Sequence, residues 1–182
     1  LCAEEDLWFH ADGAFGALAA ISPKLRHLVA GLERVDSMVF DLHKWMYLPF
    51  EIACVLVRSD DELTGTYSKK AAYLGSAKRG LLTDGVHWAE RGYELSRGFK
   101  ALKAWMCIKA YGMDHFAKAI EMNVEQARYI AKLVEEAPDL ELMAKAALNI
   151  TCFRYNPGNI PEERLNALND ELLMRIQERG LA

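Results

Sequence analysis

Asp12 and Lys44 are the two residues whose types and positions suggest chemistry. Asp12 closes the apolar, aromatic run Leu7-Trp8-Phe9-His10-Ala11-Asp12 directly before Gly13. Lys44 stands in His43-Lys44-Trp45, just past the short apolar run Ser37-Met38-Val39-Phe40. Both runs read as buried strands. In open α/β sheets ligands sit beyond the carboxyl ends of strands, so both charges are expected at one crevice. A lysine flanked by Leu42, Trp45 and Met46 is expected to be partly desolvated, which favours the neutral, nucleophilic amine. A carboxylate at the neighbouring strand end would offset a positive ring nitrogen. Amine and carboxylate together match the needs of pyridoxal phosphate, a Schiff-base lysine and an acidic partner for the pyridinium. Three plainer readings compete. A lysine beside tryptophan is often a snorkelling surface residue, and a strand-terminal aspartate is often a helix cap. His10-x-Asp12 is also half of a metal site, although no third ligand converges on it.

The elements that must position these residues alternate over the first 60 positions. Ala14 to Ala20 is small and apolar, and Pro23 to Leu32 allows a helical turn or two ending near Gly31. Ile52-Ala53-Cys54-Val55-Leu56-Val57 is the most strand-like segment, and its unbroken apolar character predicts a sheet covered on both faces. From Asp60 to Asp84 the chain is polar and contains glycine without periodicity, which predicts a long functional loop at about 62–84. Helices follow. Leu95, Phe99, Leu102 and Met106 mark one, closed by Gly112, and Ile120, Val124, Ala127, Ala131 and Val134 mark a second, closed by Pro138. Ile150 to Tyr155 reads as a strand before the turn Asn156-Pro157-Gly158. Pro161 opens a last helix with Leu165, Leu168, Leu172 and Ile176 on one face. The expected organisation is 1–95 as a sheet domain, 96–136 as connecting helices and 137–182 as part of a smaller α/β unit.

Composition bounds the function. The chain has 182 residues, 52% of them apolar, 26% charged and 10% aromatic, with a net charge of −4. That content excludes disorder and disfavours nucleic acid as a partner. No apolar run reaches the roughly 20 residues that span a bilayer, so a membrane is not an expected partner. Cys2, Cys54, Cys107 and Cys152 are far apart and form no metal-type spacing, which suits inert thiols in the cytoplasm. The chain begins at Leu1 rather than Met, and its length alone suggests about one domain.

Longer stretches carry a family likeness. Trp8-Phe9-His10-Ala11-Asp12-Gly13-Ala14-Phe15-Gly16, then Asp36-Ser37 and Asp41-Leu42-His43-Lys44-Trp45, resemble the group II pyridoxal-phosphate-dependent amino-acid decarboxylases. These include the aromatic-amino-acid, histidine and glutamate decarboxylases. Tyr73-Leu74, the segment Leu95 to Trp105, and Ile150-Thr151-Cys152-Phe153-Arg154 extend the likeness in order along nearly the whole chain.

The resemblance implies an α/β fold of the type I pyridoxal-phosphate class. It spans the latter part of the large domain and the start of the small one, as an internal segment of a longer chain. It implies that Lys44 forms the Schiff base with the cofactor, that Asp12 binds the pyridine nitrogen, that Ala14 packs under the ring, and that His43 meets the phosphate region. Tyr73 falls where the family has a mobile-loop tyrosine that protonates the former α-carbon from the adjacent subunit of a homodimer. In the aldehyde synthases of the family phenylalanine stands there, since a phenyl ring is no general acid. The implied reaction is decarboxylation of an L-amino acid to its amine. An aldehyde synthase, a carbon–carbon lyase, or a non-catalytic piece lacking the other half are the alternatives. Asp41 departs from the asparagine common two positions before the histidine. Gly98 and Lys100 replace basic residues, which leaves Arg97 only a weak role.

Overall fold

In the computed structural model, which describes residues 1–68 and 87–181, the N-terminal part builds a three-stranded mixed sheet. Strand β1 (His10–Asp12) runs parallel to β2 (Ser37–Asp41), with Ala11 opposite Met38 and Asp12 opposite Val39. Strand β3 (Ala53–Val57) runs antiparallel to β2, with Ser37 opposite Val57 and Asp41 opposite Ala53. The connection from β1 to β2 is not one long helix but three short 3-10 turns, Gly16–Ile21, Arg26–Val29 and Leu32–Arg34. Pro23 and the positive φ of Gly31 break the run into pieces too short to propagate as an α-helix. Arg58, just past β3, donates to the carbonyls of Glu33 and Val35 and so fastens the last turn to the sheet.

The strands are less covered than their apolar sequence predicts. Leu7 and Trp8 precede β1 and are exposed, as are Asp12 and the Val55 and Leu56 of β3. The expectations of a buried first strand and of a sheet shielded on both faces are therefore corrected. The main apolar cluster lies beside the sheet, where Leu18 and Ala19 of the first 3-10 turn and Leu25 just before the second meet Trp45, Met46, Leu48 and Ile52, closed by Phe116, Ile120 and Val124.

Two further corrections concern helices. Asp60–Tyr67, expected as the start of a loop, is helix α2, which follows the one-turn helix α1 (Leu42–Trp45). The signal was present in Ser59-x-x-Glu62. The Ser59 side chain accepts from the Glu62 N–H, and three acidic residues occupy the first turn, where the helix dipole favours them. Thr64 and Thr66 return hydrogen bonds to carbonyls four residues back, so the helix carries no apolar stripe for a periodicity to reveal. The remainder of the expected loop, with Tyr73, lies outside the described residues.

Helix α3 spans Lys100–Tyr111, so it starts five positions later than the apolar spacing from Leu95 suggests. Its marked face (Leu102, Met106) is exposed, as are Leu95 and Phe99 before it. Helix α4 (Met113–Glu136) follows directly across Gly112, whose φ of 78° ends one helix and re-aims the next. Its predicted stripe is buried throughout, with Ile120 at 0% exposure and Val124 at 1%. Strands β4 (Leu140–Leu142) and β5 (Phe153–Tyr155) pair antiparallel, and α5 (Glu162–Glu178) follows Pro161. Leu165 is buried, whereas Leu168 and Leu172 further along the same face are exposed.

A polar tie supplements the apolar one. Ser22, fully buried, donates through Oγ to Glu121 of α4 at 2.5 Å, and Lys24 pairs with the same carboxylate at 2.9 Å. The Ser22 hydroxyl first, and the Lys24 ammonium next, hold the Glu121 carboxyl below the usual carboxylate range.

Replacing Ile120 by alanine should lower the unfolding free energy by about 2–5 kcal/mol, read by urea denaturation, because a fully buried β-branched side chain leaves a cavity. Glu121 titrates lower folded than unfolded, so its stabilisation is present above the unfolded value of 4.5 and disappears as pH falls through the folded one. Glu121→Gln should therefore show a flatter loss of stability below pH 4.5 than wild type in acid-dependent thermal melts.

Candidate functional site

The carboxyl ends of β1 and β2 remain strapped together beyond their ladder. Gly13 N–H donates to the Val39 carbonyl at 2.9 Å, and Asp41 N–H donates to the Ala14 carbonyl at 2.7 Å. A side chain at Gly13 would bring its Cβ within 2.4 Å of the Ala17 Cβ, so the close turn requires glycine. Asp12 Oδ1 accepts from Ala14 N–H at 3.1 Å, an Asx-type turn that sets the carboxylate at the mouth of the strand pair. Among the described residues its Oδ2 accepts no hydrogen bond. His10 Nδ1 lies 2.7 Å from Ser37 Oγ, which also accepts from the Trp8 indole N–H.

Lys44 sits in α1, directly after β2. Leu42 and His43 both donate their backbone N–H to the Ile52 carbonyl, at 3.0 and 3.3 Å, and His43 Nδ1 lies 2.9 Å from that same oxygen. The His43 ring packs edge-on against Phe50. One residue on, Trp45 and Met46 are 3% and 2% exposed in the apolar cluster, and Trp45 meets Phe15 edge to face at 5.4 Å. Lys44 itself points the other way. Its Nζ pairs with Asp41 Oδ2 at 2.7 Å, and its side chain is 48% exposed. The desolvation expected from its neighbours is thus not found, because a single helical turn sends Lys44 outward to position i−3 while Trp45 and Met46 turn inward.

The structure therefore brings Asp12, Ala14, His43 and Lys44 to one edge of the β1–β2 pair. Beside Lys44 lies an open cleft of about 630 Å³, bordered by Phe15, Tyr47, Asn123, Gln126, Asn149 and Thr151. Sequence reasoning missed Asn123, whose Oδ1 accepts from the Trp45 indole N–H at 2.9 Å and from the Tyr47 hydroxyl. Its only sequence signal is a polar residue beside the buried positions Ile120 and Val124 of α4. It also missed the role of Asp41 as the partner of Lys44, although the i, i+3 spacing on a helical turn carries that signal. Arg97 bonds the nearby Glu94 carbonyl. Cys54 and Cys107 are partly buried, and burial pushes the Cys54 thiol above its ordinary value.

Comparison with known proteins places this arrangement. Residues 1–156 match the pyridoxal-dependent decarboxylase conserved domain. The chain is 35% identical over 183 aligned positions to an aromatic-L-amino-acid decarboxylase of Bacillus atrophaeus, covering 100% of this chain and 38% of that protein. Among solved structures it superposes on Oryza sativa TDC, determined with PLP and tryptamine, at a TM-score of 0.89 and 30% identity, over 100% of this chain and 38% of that one. It superposes on Rhodiola rosea 4-hydroxyphenylacetaldehyde synthase at 0.85 and 28%, over 100% and 36% respectively. The chain thus spans little more than a third of the relatives it matches, and its α/β architecture is the type I fold of these pyridoxal-phosphate enzymes. With a family match over most of its length, the chain belongs to the pyridoxal-dependent decarboxylase family.

Proposed function

We propose that this chain is the cofactor-anchoring part of a pyridoxal-phosphate-dependent decarboxylase that converts an L-amino acid to its amine and carbon dioxide. The observation that carries the reading is the placement of Lys44 and Asp12, an amine and a carboxylate, at the same end of two hydrogen-bonded parallel strands. The donor set suits the group. Asp12 keeps one oxygen without a hydrogen bond among the described residues, Ala14 carries only a methyl group, and the Lys44 amine is half exposed. When bound, pyridoxal phosphate supplies an electron-withdrawing ring that stabilises charge on the substrate carbon losing its carboxylate.

The chain's own residues would divide the work. Lys44 Nζ would provide the amine that holds the cofactor, once released from its pair with Asp41. Asp12 would keep a proton on the pyridine nitrogen. Ala14 would leave room for the ring, and His43, held by the Ile52 backbone, would meet the phosphate region. The Tyr73 phenol would supply a proton at the substrate carbon, in a homodimer whose second subunit contributes it, in the cytoplasm. In this reading residues 1–95 belong to the large domain, 96–136 connect, and 137–182 begin the small domain. Among the described residues no helix is long and apolar enough to cross a membrane.

The second reading is an aldehyde synthase, favoured by the likeness to the Rhodiola rosea protein. Tyrosine rather than phenylalanine at position 73 supports the decarboxylase instead.

Borohydride reduction of the full-length protein with pyridoxal phosphate should leave the pyridoxyl mass on Lys44, and a mass found only on other lysines overturns the assignment. Asp12→Asn should cut turnover by about 10²-fold, the scale of losing one preorganised electrostatic contact. Product analysis then separates the readings, with amine and carbon dioxide alone on one side and aldehyde, ammonia and peroxide on the other.

A further inference from the structure

Lys44 stands on one helical turn, and a single turn does not hold its own orientation in water. On one side the turn is gripped through the carbonyl of Ile52, the residue just before β3. On the other, the grip comes from one side chain of a distant helix. Asn123 Oδ1 receives both the Trp45 indole N–H, from the residue after Lys44, and the Tyr47 hydroxyl, from the residue three beyond it.

The amide cannot be turned round. An indole N–H only donates, so oxygen must face it, and the Asn123 amide nitrogen points to Gln126 Oε1 at 3.4 Å. Asn123 is itself firmly placed, because Ile120 and Val124 beside it on α4 are fully buried. Tyr47 adopts a left-handed backbone, with φ of 56°, where the chain reverses after α1. A phenol held at that reversal keeps the turn from unwinding toward the cleft.

We propose that Asn123 is a positioning residue for Lys44, fixing from α4 the roll of α1 and hence the direction in which the amine is offered to the cofactor. This rests on the reading of Lys44 as the cofactor-anchoring lysine. Among the described residues Asn123 makes no hydrogen bond to the amine, and it acts through Trp45 and Tyr47. The link also joins two parts of the chain far apart in sequence, so motions of α4 are felt at Lys44.

The test measures pyridoxyl incorporation after brief exposure of the full-length protein to pyridoxal phosphate and borohydride, as the ratio of Lys44 to Lys132, an exposed lysine further along α4. Asn123→Leu, of similar size but without an acceptor, should lower that ratio about tenfold, since misplacing a reacting group by a fraction of an ångström carries penalties of this order. Asn123→Asp retains acceptor oxygens and should restore the ratio to within about twofold of wild type on the same grounds. A merely structural role would lower the melting temperature without changing the ratio, and an unchanged ratio in Asn123→Leu overturns the proposal. So does an equal loss in Asn123→Leu and Asn123→Asp. Tyr47→Phe removes only an exposed hydroxyl and should lower the ratio about threefold, for the loss of one of two tethers. If Asn123→Leu does not fold, an unchanged ratio in Tyr47→Phe overturns the proposal alone. Absence of label on Lys44 in wild type overturns the functional reading beneath it, whereas a labelled wild type with indifferent variants overturns only the role of Asn123.

Discussion

The burial of Trp45 and Met46 against α4 is the contact on which the rest of the site depends. Both residues are almost fully enclosed in a cluster that also contains Leu18, Ile52, Phe116, Ile120 and Val124. Burying an aromatic and a thioether side chain is worth about 1.5–3 kcal/mol each, far more than one turn of helix provides for itself. Lys44 therefore keeps its place through its neighbours. Its own side chain turns out of the core to an ion pair with Asp41, and its backbone is held because the next two residues are pulled in.

A second layer of order comes from backbone hydrogen bonds that extend past the strands. Gly13 and Asp41 continue the β1–β2 connection after the strand ladder has ended, which brings the Asp12 and Lys44 segments to one edge. The turn at Gly13 leaves no space for a larger residue, so the approach of the two segments is set by sterics as well as by hydrogen bonds. The Asp41 carboxylate is the least expected member of this edge. It occupies the position just before α1 and pairs with Lys44, and in the proposed reading it must release the amine. The proposed loading of the cofactor is thereby coupled to the local charge at the end of β2.

Much of the fold was legible wherever burial and period agree. The α4 stripe at Ile120, Val124, Ala127, Ala131 and Val134 reads correctly because one face of a long helix is truly buried. The α3 stripe was equally regular, yet it starts late and is exposed, since periodicity records that a face is apolar and not what covers it. Helix α2 was missed for the opposite reason. It is stabilised by a capping serine, an acidic first turn and the clasp of Arg91 on Asp60, none of which creates an apolar pattern. Strand β4 was missed because three residues of Leu-Glu-Leu carry too little pattern to stand out from a loop.

The sequence by itself determined which residues could do the chemistry. Side-chain type is local, so Lys44, Asp12, His43 and Tyr73 already named an amine, a carboxylate, an imidazole and a phenol. It also determined the family likeness, which rests on their order along the chain. Only the tertiary structure decided that Lys44 is paired with Asp41 rather than desolvated, that Asp12 is exposed at the strand mouth, and that Asn123 reaches the lysine turn from 79 positions away along the chain. The reason is physical. Desolvation and hydrogen bonding depend on what packs nearby in space, and residues such as Asn123 become neighbours of the site only when α4 is laid against it.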